Sequence, residues 1–80
     1  MNSIDDRIRS LIDKITIDEL VKRTDISGTR WRTVRYDKRT RISTQELAAL
    51  LSLFPDYALW LGIGKTAPEI GQISPEQESQ

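Results

Sequence analysis

The sequence predicts an all-α fold: a compact domain of five helices over residues 1–64, followed by a flexible C-terminal tail over residues 65–80. Three observations predict it. Apolar residues recur at helical spacing from Ile4 to Leu61. A helix-start residue, Ser, Thr or Pro, stands ahead of each of these runs. No alternating run of consequence signals a strand, and no internal repeat is present.

Ile4, Ile8, Leu11, Ile12 and Ile15 fall on one helical face behind Ser3 as N-cap, which places helix 1 at about residues 4–14. Thr16-Ile17-Asp18-Glu19 fits a capping box, and Ile15 and Leu20 stand at the spacing of a hydrophobic staple. Helix 2 is therefore expected from Ile17 to about Thr24, burying Leu20 and Val21. Ser27 is the expected cap of helix 3, residues 28–36, with Ile26 and Trp31 as staple. Ser43 caps helix 4, with Glu46 three residues into it and Ile42 and Leu47 as staple; Leu47, Leu50, Leu51 and Phe54 are its expected core face. Pro55 suits the first turn of helix 5, which carries Tyr57, Leu59, Trp60 and Leu61 and ends at Gly62 or Gly64, where a left-handed cap is expected. Beyond Gly64 large apolar residues thin out, Pro68 and Pro75 appear, and the polar end from Pro75 to Gln80 predicts a disordered tail, with Ile70 and Ile73 as candidates to dock on the body or on a partner.

Composition removes several classes of function. The 80 residues hold no cysteine and no histidine. Zinc sites built on Cys and His, and Cys or His nucleophile systems, are thereby excluded. Asp5, Asp6, Asp13, Asp18 and Glu19 read as first-turn and surface acids, favoured by the helix dipole, and not as a metal or acid–base pair. No glycine-rich phosphate loop is present. The expectation is a protein that is not an enzyme and takes no cofactor, metal or small-molecule ligand. The longest apolar run, Tyr57 to Ile63, falls far short of the roughly 20 residues that span a bilayer. The mixed, acidic start does not resemble a signal peptide. A cytoplasmic protein with no membrane association is expected.

The formal net charge of zero conceals a strong polarity. Eight of the twelve basic residues lie between Lys22 and Arg41, opposed only by Asp25 and Asp37, a local charge of +6. The flanking segments carry −2 and −4. Such a cluster calls for a polyanionic partner. On helix 3, Trp31 and Val34 lie three apart and face inward, whereas Thr29, Arg32, Thr33 and Tyr36 lie on the opposite side, flanked by Arg30 and Arg35. Arginine can pair two donors with guanine O6 and N7, and threonine can hydrogen-bond a base or touch a thymine methyl. Gly28, Thr29, Arg32 and Thr33 are therefore the candidate base-contacting residues. Ser27, Arg30, Arg35, Tyr36 and the loop residues Lys38, Arg39 and Arg41 are the candidate phosphate contacts, with Tyr36 equally readable as plain surface. Trp31 and Trp60 read as core.

Residues 3–61 resemble the lambda-repressor-like helix-turn-helix domain of phage CI- and Cro-type repressors and the wider XRE family. The resemblance is carried by Thr16 to Val34, in which a capped helix, Leu20, a turn, the Ile26-Ser27 start and the pair Trp31 and Val34 follow in order. Ser43-Thr44-Gln45-Glu46-Leu47 and Asp56 to Leu61 are similar to that family's fourth and fifth helices. Val21 stands where the family usually has a small residue, and Trp31 where it has a smaller aliphatic one. Both larger side chains are expected to push helices 2 and 3 apart. Asp25 replaces a turn glycine and is a residue that tolerates the left-handed conformation. Ile17 replaces a phosphate-binding glutamine, so that role is not carried over.

The resemblance implies a sequence-specific DNA-binding transcriptional regulator, a small phage or prophage repressor that binds double-stranded operator DNA through helix 3 in the major groove. An antitoxin or restriction-control protein would use the same module. One recognition helix offers little interface, so a homodimer on an inverted repeat is expected. Phe54, Tyr57, Leu59 and Ile63 are the candidate dimer residues. A protein antagonist is a further candidate partner. The alternative class is a protein-interaction module, an antirepressor or host-factor inhibitor, that keeps the helix-turn-helix shape.

Overall fold

The computed structural model describes residues 3–78; Met1, Asn2 and the tail end Ser79-Gln80 lie outside the described residues. Among the described residues six α-helices follow in order: α1 (Ile4–Asp13), α2 (Ile17–Arg23), α3 (Gly28–Tyr36), α4 (Thr44–Leu53), α5 (Ala58–Ile63) and the short α6 (Pro75–Glu78). Single 3-10 turns precede α5 at Pro55–Tyr57 and α6 at Pro68–Ile70. Among the described residues the one β feature is an isolated antiparallel bridge between Ala67 and Gln72. The chain is all-α, as the helical spacing predicts.

The caps form where hydroxyl residues were expected. Ser3 Oγ accepts from the Asp6 N–H at 3.1 Å, Thr16 Oγ1 from Glu19 at 3.1 Å and Ser27 Oγ from Arg30 at 3.1 Å. At α4 the Ser43 N–H donates to Glu46 Oε1 at 2.8 Å. Gly64 closes α5 with φ 72°, donating to the Trp60 carbonyl at 2.8 Å. Glycine takes that left-handed position without the penalty a Cβ would bring.

One core joins the helices. Ile8, Leu11 and Ile12 of α1 pack with Leu20, Ile26, Trp31, Val34, Leu50, Tyr57 and Leu61. Each large apolar side chain so buried contributes about 1.5–3 kcal/mol of transfer free energy. Ile15, Ile17, Ile42, Leu47, Leu51, Phe54 and Trp60 line its rim, so Leu47, Leu51 and Phe54 are less covered than helix 4 alone would suggest. The helix pairs α2 with α3 and α1 with α5 are the principal packings.

Three arginines tie helix ends together. Arg7, buried on α1, donates to the Leu61 carbonyl (3.2 Å) and the Gly62 carbonyl (3.1 Å) at the end of α5. Arg9 donates to the carbonyls of Val34, Lys38 and Thr40, at and beyond the end of α3. Arg35 donates to the carbonyls of Ile12 and Ile15, at the end of α1. A helix leaves its last carbonyls without partners and carries partial negative charge there; a guanidinium satisfies both.

Three expectations are corrected. Tyr57 is not a surface residue: it is buried, stacked 5.5 Å from Phe54 and edge-on to Trp60, because the 3-10 turn points it into the core. Val21 is 43% exposed, because α2 turns Leu20 and, less fully, Ile17 to the core and Val21 away from it. Residues 65–76 are not a free tail but a strap across the start of α5. Gln72 accepts from the Leu59 N–H (2.9 Å) and donates to the Pro55 carbonyl (3.1 Å), the Ile73 N–H donates to the Asp56 carbonyl (2.9 Å), and Ser74 is buried. No single helix among the described residues is long and apolar enough to cross a membrane.

Candidate nucleic-acid interface

The geometry of α3 begins at the turn before it. Thr24 ends α2 in an extended conformation (φ −135°, ψ 166°). Its hydroxyl donates to the Leu20 carbonyl at 2.6 Å and accepts from Trp31 Nε1 at 3.1 Å and from the Ile26 N–H at 3.3 Å. One hydroxyl thus fixes the end of α2, the turn and the buried indole of α3. No non-glycine residue among those described has a positive φ, so Asp25 does not take the left-handed conformation expected of it; Thr24 organises the turn instead.

The expected crowding between α2 and α3 is relieved by Gly28. A methyl group placed on Gly28 would stand 3.3 Å from Val21 Cγ2 and 3.4 Å from Arg32 Nη1. The larger residue on α2 is matched by the smallest on α3. Gly28 is accordingly half-buried, and Val21 and Arg32 approach the side a base would have to reach.

Thr29, Arg32, Thr33 and Tyr36 are exposed on the outer face of α3, while Trp31 and Val34 are fully buried, as the helical wheel predicts. The Thr33 hydroxyl donates to the Thr29 carbonyl at 2.9 Å, so it can offer a base only its lone pair and its methyl. Tyr36 is exposed, with the Arg35 guanidinium 6.0 Å from its ring centre. Ser27 is exposed, its hydroxyl engaged as the cap.

Two of the expected phosphate contacts are spent inside the protein. Arg30 Nη2 and Nε grip Glu46 Oε1 and Oε2 at 2.9 and 3.1 Å, and Nη2 also donates to the Arg41 carbonyl at 2.9 Å. Burial pushes the Glu46 carboxyl up, but the hydrogen bonds from Arg30 and Ser43 outweigh it and hold the group below its ordinary range. The hydrogen bond to Glu46 holds Arg30 above its ordinary value. Arg35 is turned away from solvent onto the end of α1, its Nε 3.8 Å from Asp13 Oδ1.

The remaining cations stay outside. Lys38, Arg39 and Arg41 are exposed on the loop after α3, Arg32 on α3, and Lys22 and Arg23 at the end of α2. Arg39 is held 3.4 Å from Asp37 with its side chain 94% exposed. The loop itself is held: Thr40 N–H donates to the Asp37 carbonyl at 3.0 Å, and Arg9 reaches the Lys38 and Thr40 carbonyls. Sequence reasoning missed Arg9, whose helix-1 position carries no sign of a distant loop. Glu46 left a usable signal, being the one acidic residue between Asp37 and Asp56. Of the candidate dimer residues, Phe54 and Leu59 are half-buried and Ile63 is 60% exposed.

The fold and this surface define a small all-helical protein with a cationic face built around α3 and the loop behind it. The solved structure of Pf6r, from the filamentous phage Pf6 of Pseudomonas aeruginosa PA01, superposes on it with a TM-score of 0.86 at 54% identity, covering 92% of this chain and 96% of that one. The chain belongs to the family of Pf6r. No protein-family model and no curated protein matches it.

Proposed function

We propose that this chain is a sequence-specific DNA-binding transcriptional regulator of the lambda-repressor-like helix-turn-helix type, a small dimeric phage repressor. Helix α3 enters the major groove, Arg32, Thr29 and Thr33 meet base edges, and Lys38, Arg39 and Arg41 grip the adjacent phosphates. The observation that carries this reading is the sorting of the basic residues. Arg30 and Arg35 are consumed internally, whereas Arg32, Lys38 and Arg41 have no ion-pair partner among the described residues and share α3 and its trailing loop. Kinship with a phage protein supports the same reading.

A dimer would bring two copies of α3 to half-sites about one helical turn, roughly 34 Å, apart, and would repress by occupying a promoter. With Tyr57 in the core, Ile63 is the expected dimer residue that stays well exposed. Selection from a random duplex pool followed by footprinting tests the proposal. Enrichment of an inverted repeat, bound with an affinity that falls steeply with salt, is the expected result. A pool that yields no enriched sequence, or a flat salt dependence, would sink it.

A second reading, a protein-interaction module, is favoured by the exposure of Ile63 and Ile70, the latter 73% exposed, in the acidic C-terminal half. Gel-shift against the enriched pool separates the two: this module would shift no duplex.

A further inference from the structure

Gly28 is the first residue of α3, directly after its N-cap Ser27. Its conformation does not require glycine: among the described residues positive φ is confined to Gly64 and Gly71. The space beside it is occupied. A methyl there would meet Val21 Cγ2 at 3.3 Å, Arg32 Nη1 at 3.4 Å and Arg32 Cζ at 3.7 Å. The Arg32 guanidinium therefore rests over the bare Cα of Gly28, one turn toward the start of α3, and the Val21 methyl abuts the same spot from α2. Residues four apart share a helical face, and helical side chains lean toward the N-terminus, so the pose is a natural one for the arginine stem.

No electrostatic contact fixes that guanidinium. Arg32 has no hydrogen-bond or ion-pair partner among the described residues, and a cation near a helix N-terminus lies against the dipole. Shape holds it: a notch made by a missing side chain, walled by Val21.

We infer that Gly28 and Val21 are positioning residues that set where the Arg32 guanidinium points, and thereby which base pair the protein discriminates. The inference rests on the DNA-binding reading above. An arginine confined to one pose loses less side-chain freedom on contact with guanine than a free one. Gly28 acts here through its absence of a side chain, which leaves Arg32 a place to lie.

The test begins with the operator enriched by the natural chain. The base pair at which Arg32→Ala relaxes discrimination is located first. Gly28→Ala is then measured on matched duplexes that differ only at that pair, so that any general loss of affinity cancels in the ratio. A loss of discrimination of about three- to tenfold is expected at that pair, the freedom of one side chain, with the other positions read as before. Two double variants separate the causes. Gly28→Ala with Arg32→Ala should be no worse at that pair than Arg32→Ala alone, because Gly28 acts through the arginine. Val21→Ala with Gly28→Ala relieves the tighter contact, with α2, but leaves the new methyl in the place against which the guanidinium lies, so discrimination should stay lost. Thermal melting of each variant establishes that it is folded. Unchanged discrimination in Gly28→Ala, additive losses in the first double variant, or full recovery in the second each overturn the inference while leaving DNA binding intact. Failure of the natural chain to enrich any sequence removes the DNA-binding reading and this inference with it.

Discussion

Arg30 and Glu46 face each other across the junction of α3 and α4 in a two-pronged pair whose closest approach is 2.9 Å. The carboxylate also receives the Ser43 N–H, so one acidic side chain caps α4 and anchors α3 at once. Glu46 is 1% exposed, and the arginine side chain only partly covered. A charge buried to that degree needs its partner.

Removing that partner is the more damaging of two changes. Arg30→Ala should destabilise the fold by about 2–3 kcal/mol, toward the low end for a broken buried pair because the arginine side is partly solvated. Glu46→Gln keeps a cap acceptor and should cost less, but it should alter the acid limb of stability. The carboxyl is held below its ordinary value in the folded state. Its contribution is complete above the unfolded-chain value of about 4.3 and is lost as pH falls through the lower folded value. Urea midpoints measured from about pH 7 down to about pH 2 should fall less steeply in Glu46→Gln than in the natural chain. Parallel curves would show that Glu46 is not ionised in the pair.

Arg35 was expected on phosphate and is found capping α1 through the Ile12 and Ile15 carbonyls. Arg35→Ala should lower stability by about 1–2 kcal/mol, through lost charge-assisted hydrogen bonds, and leave the salt slope of DNA binding unchanged. Lys38→Ala should do the reverse, holding the melting temperature and reducing that slope by about one. A reduced slope in Arg35→Ala would return that residue to the interface.

These two arginines mark the limit of what the chain's own pattern discloses. Helical spacing and hydroxyl caps placed α1 to α4 almost residue for residue, because both are local: neighbours in sequence are neighbours on the helix; α5, expected from Pro55, begins at Ala58 after a 3-10 turn. The inward pair Trp31 and Val34 was legible for the same reason. Which arginines face outward was not, because that depends on carbonyls and carboxylates far along the chain. Arg35 meets α1 more than twenty residues away, and Arg9 crosses to the loop after α3. Of the strap at residues 65–76 only the docking of Ile73 was legible, because backbone bridges and one glutamine side chain, not a run of large apolar residues, supply its other anchors. The size match of Val21 and Gly28 needed both helices in place before either residue made sense.

Base reading and phosphate grip should separate cleanly in two exposed arginines. Arg32 lies on the outer face of α3, and Arg39 on the loop, 94% exposed at its side chain. Arg32→Ala is expected to weaken the enriched operator by about 1–3 kcal/mol and to relax preference at one base pair. Arg39→Ala should weaken every duplex alike and leave preference intact. Titrations of operator and scrambled duplex at several salt concentrations measure both, and identical profiles for the two variants would dissolve the distinction between them.

Gln72 is the residue on which the C-terminal strap depends. Its side chain accepts from the Leu59 N–H in the first turn of α5 and donates to the Pro55 carbonyl, thereby joining both sides of the buried Tyr57. The first N–H groups of a helix have no partner within it, and no side-chain cap serves α5 from Tyr57, so Gln72 supplies one from thirteen residues away. Gln72→Ala should cost about 1 kcal/mol, the worth of a lost cap, and should raise hydrogen exchange at Leu59 selectively. Gln72→Glu keeps the acceptor and loses the donor to Pro55, so exchange at Leu59 should stay slow while stability still falls. If the strap were a loose tail, neither substitution would move the melting temperature or the exchange of α5.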